Sequence, residues 1–463
     1  MLEPKWRKRV GAGLSAAMLI GLLAGCGGGS GSSSNGNTAA NDSASGNGAA
    51  NNTASDNNNN ATATDSGGSA DKTEGEFVLW TWEPEHKTAL DSFHKLYPNI
   101  KVKRVNVSAG DVTKKLQTTI ASGGELPDVI RIEAGQKAKI FDMNVLENLE
   151  DAPYNTDKGL LFDYDINAFS VDGHLVAIPD DMSIAGIAYL KPLAKEYFGT
   201  DDPKQLEAMF PDWNAVIEKG KEVVANSGGK VKLFPGLGDV YTVLKGQRSG
   251  PFFDGDKMNT PVLKQLLTDL VSFRDSGIVD KLDQWTPAWN ATFAQSKYMF
   301  AMSPVWMPQY VIGANDKAEG RWGLMVPPAG GYITGGSSHG IPKGAKNAAL
   351  AWKWIEFTSM SQDGATAQKQ DGVFTHFKPA YDDPAFTKWT WPSFGDQDIG
   401  EKYFKDISET TKAVPENVND LLLNDVMNIV LQTLSKDNSF GVDQAFDKIK
   451  TELTAKAPNI TFE

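Results

Sequence analysis

The chain has 463 residues, 58 acidic and 45 basic, a formal charge of −13 and a single cysteine. At roughly 150 residues per domain, that length suggests two to three domains. The acidic excess argues against a phosphate-neutralising nucleic-acid surface, and one cysteine supplies neither an internal disulfide nor the thiolates of a Cys-based structural zinc site.

Lys5, Arg7, Lys8 and Arg9 precede the apolar run Val10 to Ala24, the pattern of a secretory signal. The run is shorter than the about 20 apolar residues a membrane span needs, and Gly11, Gly13 and Gly21 weaken it further. It ends in Leu22-Leu23-Ala24-Gly25-Cys26. This resembles a bacterial lipobox, which implies that residues 1–25 are cleaved and that Cys26 is diacylated as the first residue of the mature chain. An ordinary secretory signal with an incidental cysteine is the alternative. From Gly27 to Gly75 the chain is almost entirely Gly, Ser, Asn, Ala, Thr and Asp. Such a segment cannot bury enough apolar surface to offset its ordering entropy. Residues 26–75 therefore read as a lipidated cysteine and a disordered tether with a reach of roughly 40 Å. The folded part is expected from near Glu76, and it contains every tyrosine and every tryptophan except Trp6.

Phe77-Val78-Leu79-Trp80 reads as a strand, Pro84 opens a helix carrying Ala89, Leu90, Phe93, Leu96 and Tyr97, and Pro98 ends it. Ile100 to Val107 alternates as a half-buried strand does, and Asp111 is expected to cap a second helix bearing Val112, Leu116 and Ile120. Asp128-Val129-Ile130-Arg131-Ile132 is a third strand. This β-α-β-α-β order predicts parallel strands with ligands beyond their carboxyl ends, at Thr81 to Glu85 and Glu133 to Gln136. Farther on, Asp172-Gly173 marks a tight turn feeding a strand that ends at Ile178-Pro179. Helical patterning follows at 346–357, 418–434 and 442–453.

The opening strand with its Trp, Leu126-Pro127-Asp128-Val129, Ile178-Pro179, the run Ala291 to Met302 leading to Trp306, Trp322 to Pro328 leading to Gly335-Gly336, and Ile341-Pro342-Lys343 occur here in series. In this order they resemble the extracellular solute-binding proteins of bacterial ABC importers, in the branch that includes the maltose-binding protein. The resemblance covers essentially all of the folded part. It implies an α/β, two-lobed periplasmic-binding-protein-like fold, with one lobe from 76–182 plus 328–372 and the other from 183–327 plus 373–463. Crossings are expected near Met182 to Ile187, Val326 to Ala329 and Val373 to Phe377. It also implies a sugar or oligosaccharide ligand, permease subunits in the membrane as partners, a monomer, no cofactor, and a place on the outer face of the cell membrane.

A sugar needs flat aromatic platforms for its C–H face, with carboxylates, amides and backbone groups for its hydroxyls. Trp82 and Glu83 follow the first strand, Glu133 and Gln136 the third, and Asp180 and Asp181 precede the first crossing. Trp306 stands where related sugar binders often carry a stacking tryptophan, and Tyr241 and Trp285 lie in the second lobe. Gly335, Gly336 and Ser337 form a loop whose bare backbone can approach a ligand. Trp352 and Trp354, on a helix, read as structural. Gly336-Ser337-Ser338-His339-Gly340 fits the G-x-S-x-G pattern of hydrolases, but that serine needs a strand-to-helix turn, and Pro342 suits a loop. A secreted glycoside hydrolase and a tethered adhesin without a small-molecule site are the alternatives.

Overall fold

The computed structural model describes residues 72–82 and 86–462; the signal, the lipobox, most of the tether and Glu83 lie outside them. The first three strands, β1 (Gly75–Thr81), β2 (Ile100–Asn106) and β3 (Val129–Glu133), are parallel, with Leu79 beside Arg104 on one flank and Val129 on the other. They are connected by helices α1 (Lys87–Leu96) and α2 (Val112–Ala121), and α3 (Ala134–Asp142) follows β3. Asp111 stands at the N-terminus of α2, yet its carboxylate accepts the Ser108 hydroxyl rather than a backbone N–H of the helix.

The Asp-Gly turn forms as expected. Ser170–Val171 and His174–Leu175 pair antiparallel around Asp172 and Gly173, which have φ values of 51° and 84°, the left-handed pair that a tight type I′ hairpin demands. The chain then enters β4 (Ile178–Asp181), passes Met182 and Ser183, and starts β5 (Ile184–Leu190), the fully buried centre of a second sheet. There β6 (Phe300–Pro304), β7 (Trp322–Met325) and β8 (Tyr332–Ile333) all pair antiparallel with β5. Finally β9 (Ser337–Gly340) returns to the first sheet and inserts between β3 and β4, giving the order β2-β1-β3-β9-β4.

The return crossing therefore falls between Ile333 and Ser337, later than the 326–329 expected, because Tyr332 and Ile333 still belong to the second sheet. Three segments meet here. The Met182 amide donates to the Phe374 carbonyl at 2.7 Å, and the Thr334 amide donates to the Ser183 carbonyl at 3.1 Å. Gly336 has a φ of 89°, and a Cβ on it would lie 2.9 Å from the Asp181 carbonyl oxygen, so backbone proximity and left-handed geometry both require glycine. Separate apolar clusters hold the two sheets. Phe77, Phe93, Trp354 and Ile355 pack one face of the first and Ile130, Leu116 and Ile140 the other, while Ala188, Phe234, Phe300 and Val430 belong to the second. Trp354 is buried, with its ring edge-on to Phe93, the structural placing expected of it.

Candidate functional site

A cleft of ≈ 1320 Å³ lies where the two sheets meet. The end of β3 and the start of α3 form one wall. Glu133 caps α3 by accepting the Gly135 amide at 2.8 Å, and burial pushes its carboxyl above the usual range. One turn on, Lys137 lies over the Phe169 ring at 4.6 Å, its pKa lowered by burial. Phe141 packs edge-on to Phe169, and both rings line the cleft.

Helices α4 (Leu237–Gly246) and α5 (Val418–Lys436), with the loops before α5 and around Trp285, build the opposite wall. The Tyr241 hydroxyl donates to Asn424 Oδ1 at 2.9 Å. Burial would raise the Glu416 carboxyl, but Lys245 at 3.0 Å and Arg248 at 3.8 Å outweigh it and hold it low. Trp285 is 56% exposed and has a φ of 63°, a left-handed conformation costly for an aromatic residue. Its neighbours over-determine that conformation. Gln284 Nε2 and Trp289 Nε1 both donate to the buried Asp239, at 3.2 and 3.0 Å, and the Trp285 ring leans on Trp289 at 4.9 Å. The protein thus holds a large apolar ring against open space.

The floor is the crossing itself, with Asp181, Gly335, Gly336, Ser337 and His376. His376 pairs with Asp165 at 2.9 Å; burial would lower its pKa, and the carboxylate outweighs burial and raises it. Beneath the floor, Arg131 Nε donates to Asp180 at 3.0 Å, and both side chains are buried. Burial alone would raise Asp180, yet Arg131, helped by His339 and His86, holds it well below the usual carboxylate range.

Of the sequence candidates, Glu133, Asp181, Tyr241, Trp285, Gly335, Gly336 and Ser337 converge on the cleft. Four others are not among the residues that line it, though Trp82 and Trp306 are only half-buried and Trp306 lies against Gly335. Gln136 is engaged by the Thr113 hydroxyl at 2.6 Å, Asp180 is sealed beneath Arg131, Trp82 lies over the Arg131 guanidinium at 4.3 Å, and Trp306 packs on the second core with its ring 6.1 Å from Trp285. Sequence reasoning missed Lys137, Phe141 and Phe169 on the first wall and Lys245, Glu416 and Asn424 on the second; the helical spacing of Lys137 and Phe141 beyond Glu133 was the available signal. Ser338, the serine of the G-x-S-x-G pattern, is buried within β9 rather than presented on a strand-to-helix turn. Among the described residues no cluster of His, Cys, Asp or Glu could hold a metal ion, and no helix is long and apolar enough to cross a membrane.

Two α/β sheets with their helices, joined by three crossing segments around an aromatic and charged cleft, define a two-lobed solute-binding protein. The fold matches that of an ABC transporter binding protein from B. animalis subsp. lactis in complex with β-1,6-galactobiose, with a TM-score of 0.69, 19% identity, and 84% of this chain and 100% of that one covered. The model of the bacterial extracellular solute-binding protein family matches residues 88–392, more than half of the chain, and the chain belongs to that family. It is 25% identical over 405 residues to an uncharacterized ABC transporter extracellular-binding protein of Pyrococcus horikoshii, covering 82% of this chain and 88% of that protein. It is also 28% identical over 169 residues to a lactose-binding protein of Rhizobium radiobacter, a match spanning 33% of this chain and 37% of that protein. The protein is thus a bacterial extracellular solute-binding protein, similar to ABC transporter binding proteins and to a lactose-binding protein.

Proposed function

We propose that this protein captures a sugar or short oligosaccharide by closing its two lobes and delivers it to the permease of an ABC importer, while an acylated Cys26 holds it on the outer face of the cell membrane. The observation that carries the sugar reading is Trp285, an exposed ring held in a costly backbone conformation at the cleft. It supplies the apolar platform for a pyranose face. Glu133, Asp181, Tyr241 and Ser337, with the bare backbone of Gly335 and Gly336, supply partners for the hydroxyls. The names of the lactose-binding relative and of the galactobiose complex support the same ligand class. Closure shifts the open and closed populations because the ligand touches both walls only in the closed form. The monomer delivers its cargo without a cofactor.

Calorimetry and thermal shift of the purified protein against mono- and oligosaccharides test this reading. Tight binding without turnover is the expected result; silence across a broad panel sinks it, and product formation makes it a hydrolase. The anchor is tested separately. In Cys26→Ser the protein should move from the membrane fraction to the soluble fraction, since no acyl chain can then hold it. Retention of that variant on membranes overturns the lipid reading.

A further inference from the structure

Arg131, in the middle of β3, is 1% exposed and touches three of the residues that the sequence marked for ligand binding. Its Nε is 3.0 Å from Asp180 Oδ2 and its Nη2 is 3.9 Å from Asp181 Oδ2, while its guanidinium is stacked with the Trp82 ring at 4.3 Å. Asp180 is completely buried, whereas Asp181 keeps 12% exposure and faces the cleft. One Asp181 oxygen, Oδ1, has no hydrogen-bond partner among the described residues. One cation therefore serves two adjacent carboxylates, one sealed and one presented.

We propose that Arg131 is the positioning residue of the cleft, and that Asp180 controls how much of its charge reaches the Asp181 carboxylate facing the ligand. The proposal rests on the sugar-binding reading and adds its regulation. A carboxylate accepts hydroxyl hydrogen bonds roughly twice as strongly in its charged form as a neutral group does, so whatever keeps Asp181 ionised sets affinity. The groups acting on Asp181 are few. Burial is the largest influence and raises its pKa, Arg131 lowers it, Asp180 raises it and His376 lowers it, leaving it at about 7. His376 also accompanies it through a hydrogen bond to the Asp181 backbone and is itself paired with Asp165. Tyr310 faces it from the second lobe, its hydroxyl neutral because burial drives its pKa up. His339 and His86 each lie 3.8 Å from Asp180, on the sealed side. Trp82, though absent from the cleft lining, packs against the same guanidinium, so its ring and the Asp181 carboxylate share a single support.

Two substitutions on the full chain pull this arrangement in opposite directions. Arg131→Met removes the cation, so the Asp181 midpoint rises. Asp180→Asn removes the competing carboxylate and releases Arg131 to Asp181, so the midpoint falls. A close charge moves a carboxyl by roughly 1 to 3 units, and the separation of the two variants should exceed one unit. Two readouts are needed: the pH dependence of affinity for lactose and β-1,6-galactobiose, and carbon-detected NMR titration of the Asp181 carboxyl in the ligand-free protein, assigned by Asp181→Asn. Opposite shifts in both support the proposal. Shifts in one direction, or an unmoved midpoint, overturn it and leave Arg131 a structural residue, because mere loosening of the fold cannot move a midpoint both ways. If Arg131→Met does not fold, Asp180→Asn alone still decides, since a midpoint that fails to fall contradicts the shared cation. If neither the parent nor any variant binds a sugar of the broad panel while the NMR midpoints separate, the sugar reading fails and the role of Arg131 stands.

Discussion

Trp285→Ala should remove sugar binding while leaving the free protein about as stable as before. The ring is 56% exposed, so truncating it opens no cavity and forfeits little buried apolar area. Alanine at a φ of 63° also avoids part of the steric cost that the indole imposes there. In binding, by contrast, a tryptophan anchor at the centre of an interface is worth about 2 kcal/mol or more, at least roughly thirtyfold in Kd. Calorimetry with the sugar that binds best, beside thermal melts of the ligand-free variant, separates the two effects. A large loss of melting temperature with affinity retained would show that the ring is structural. Trp289→Ala should behave in the opposite way, because that ring is fully buried and gives Asp239 a hydrogen bond.

Stability should fall as pH rises from mild acid to neutrality, and Asp239→Asn should remove its own share of that fall, beside the share of Asp181, whose carboxyl is also raised to about 7. Asp239 is completely buried; burial is the largest influence on its carboxyl and raises it to about 7, against the hydrogen bonds from Trp289 and Gln284 that favour the charged form. The folded pKa lies above the unfolded one, so below about pH 4 both states hold the proton and stability is full. Between about pH 4 and pH 7 only the folded state keeps it, and stability declines by about 1.4 kcal/mol per unit. Above pH 7 both states are ionised and the loss, on the order of 4 kcal/mol, is complete. Asp239→Asn carries no such proton. It should match the parent near pH 4 and exceed it by a few kcal/mol near pH 8 in urea unfolding. Parallel stability curves for parent and variant across that range would refute the assignment. Asp180, held low by Arg131, works with the opposite sign: its stabilisation is present above its unfolded pKa and is lost only in strong acid.

The local elements were legible because each is written in a short-range pattern. The alternation of Ile100 to Val107, the helical spacing of Ala89, Leu90 and Phe93, and the Asp172-Gly173 turn depend on neighbours within a few residues, and each formed where those residues stand. The position of β9 was not legible, since Ser337 to Gly340 is bounded by glycines and has no apolar run of its own. It becomes a strand because β3 and β4 offer edges on both sides. The same limit separated Trp285 from Trp306. Both read as aromatic residues near loop ends, and only packing decided that Trp306 lies against the second core while Trp285 faces the cleft. Arg131 looked like a polar interruption in an apolar strand, and its partner Asp180 is 49 residues away.

By itself, the sequence determined which segments are strands and helices, their parallel opening order, and the composition that separates the Gly, Ser and Asn stretch from the aromatic-rich body; these follow from periodicity and local backbone preference. Tertiary structure alone decided which aromatic faces open space, where the chain recrosses between sheets, and which of two adjacent carboxylates is sealed by Arg131 and which is presented. Those outcomes depend on burial and on charges brought within 4 Å by distant strands, and desolvation and Coulomb energy act through space rather than along the chain.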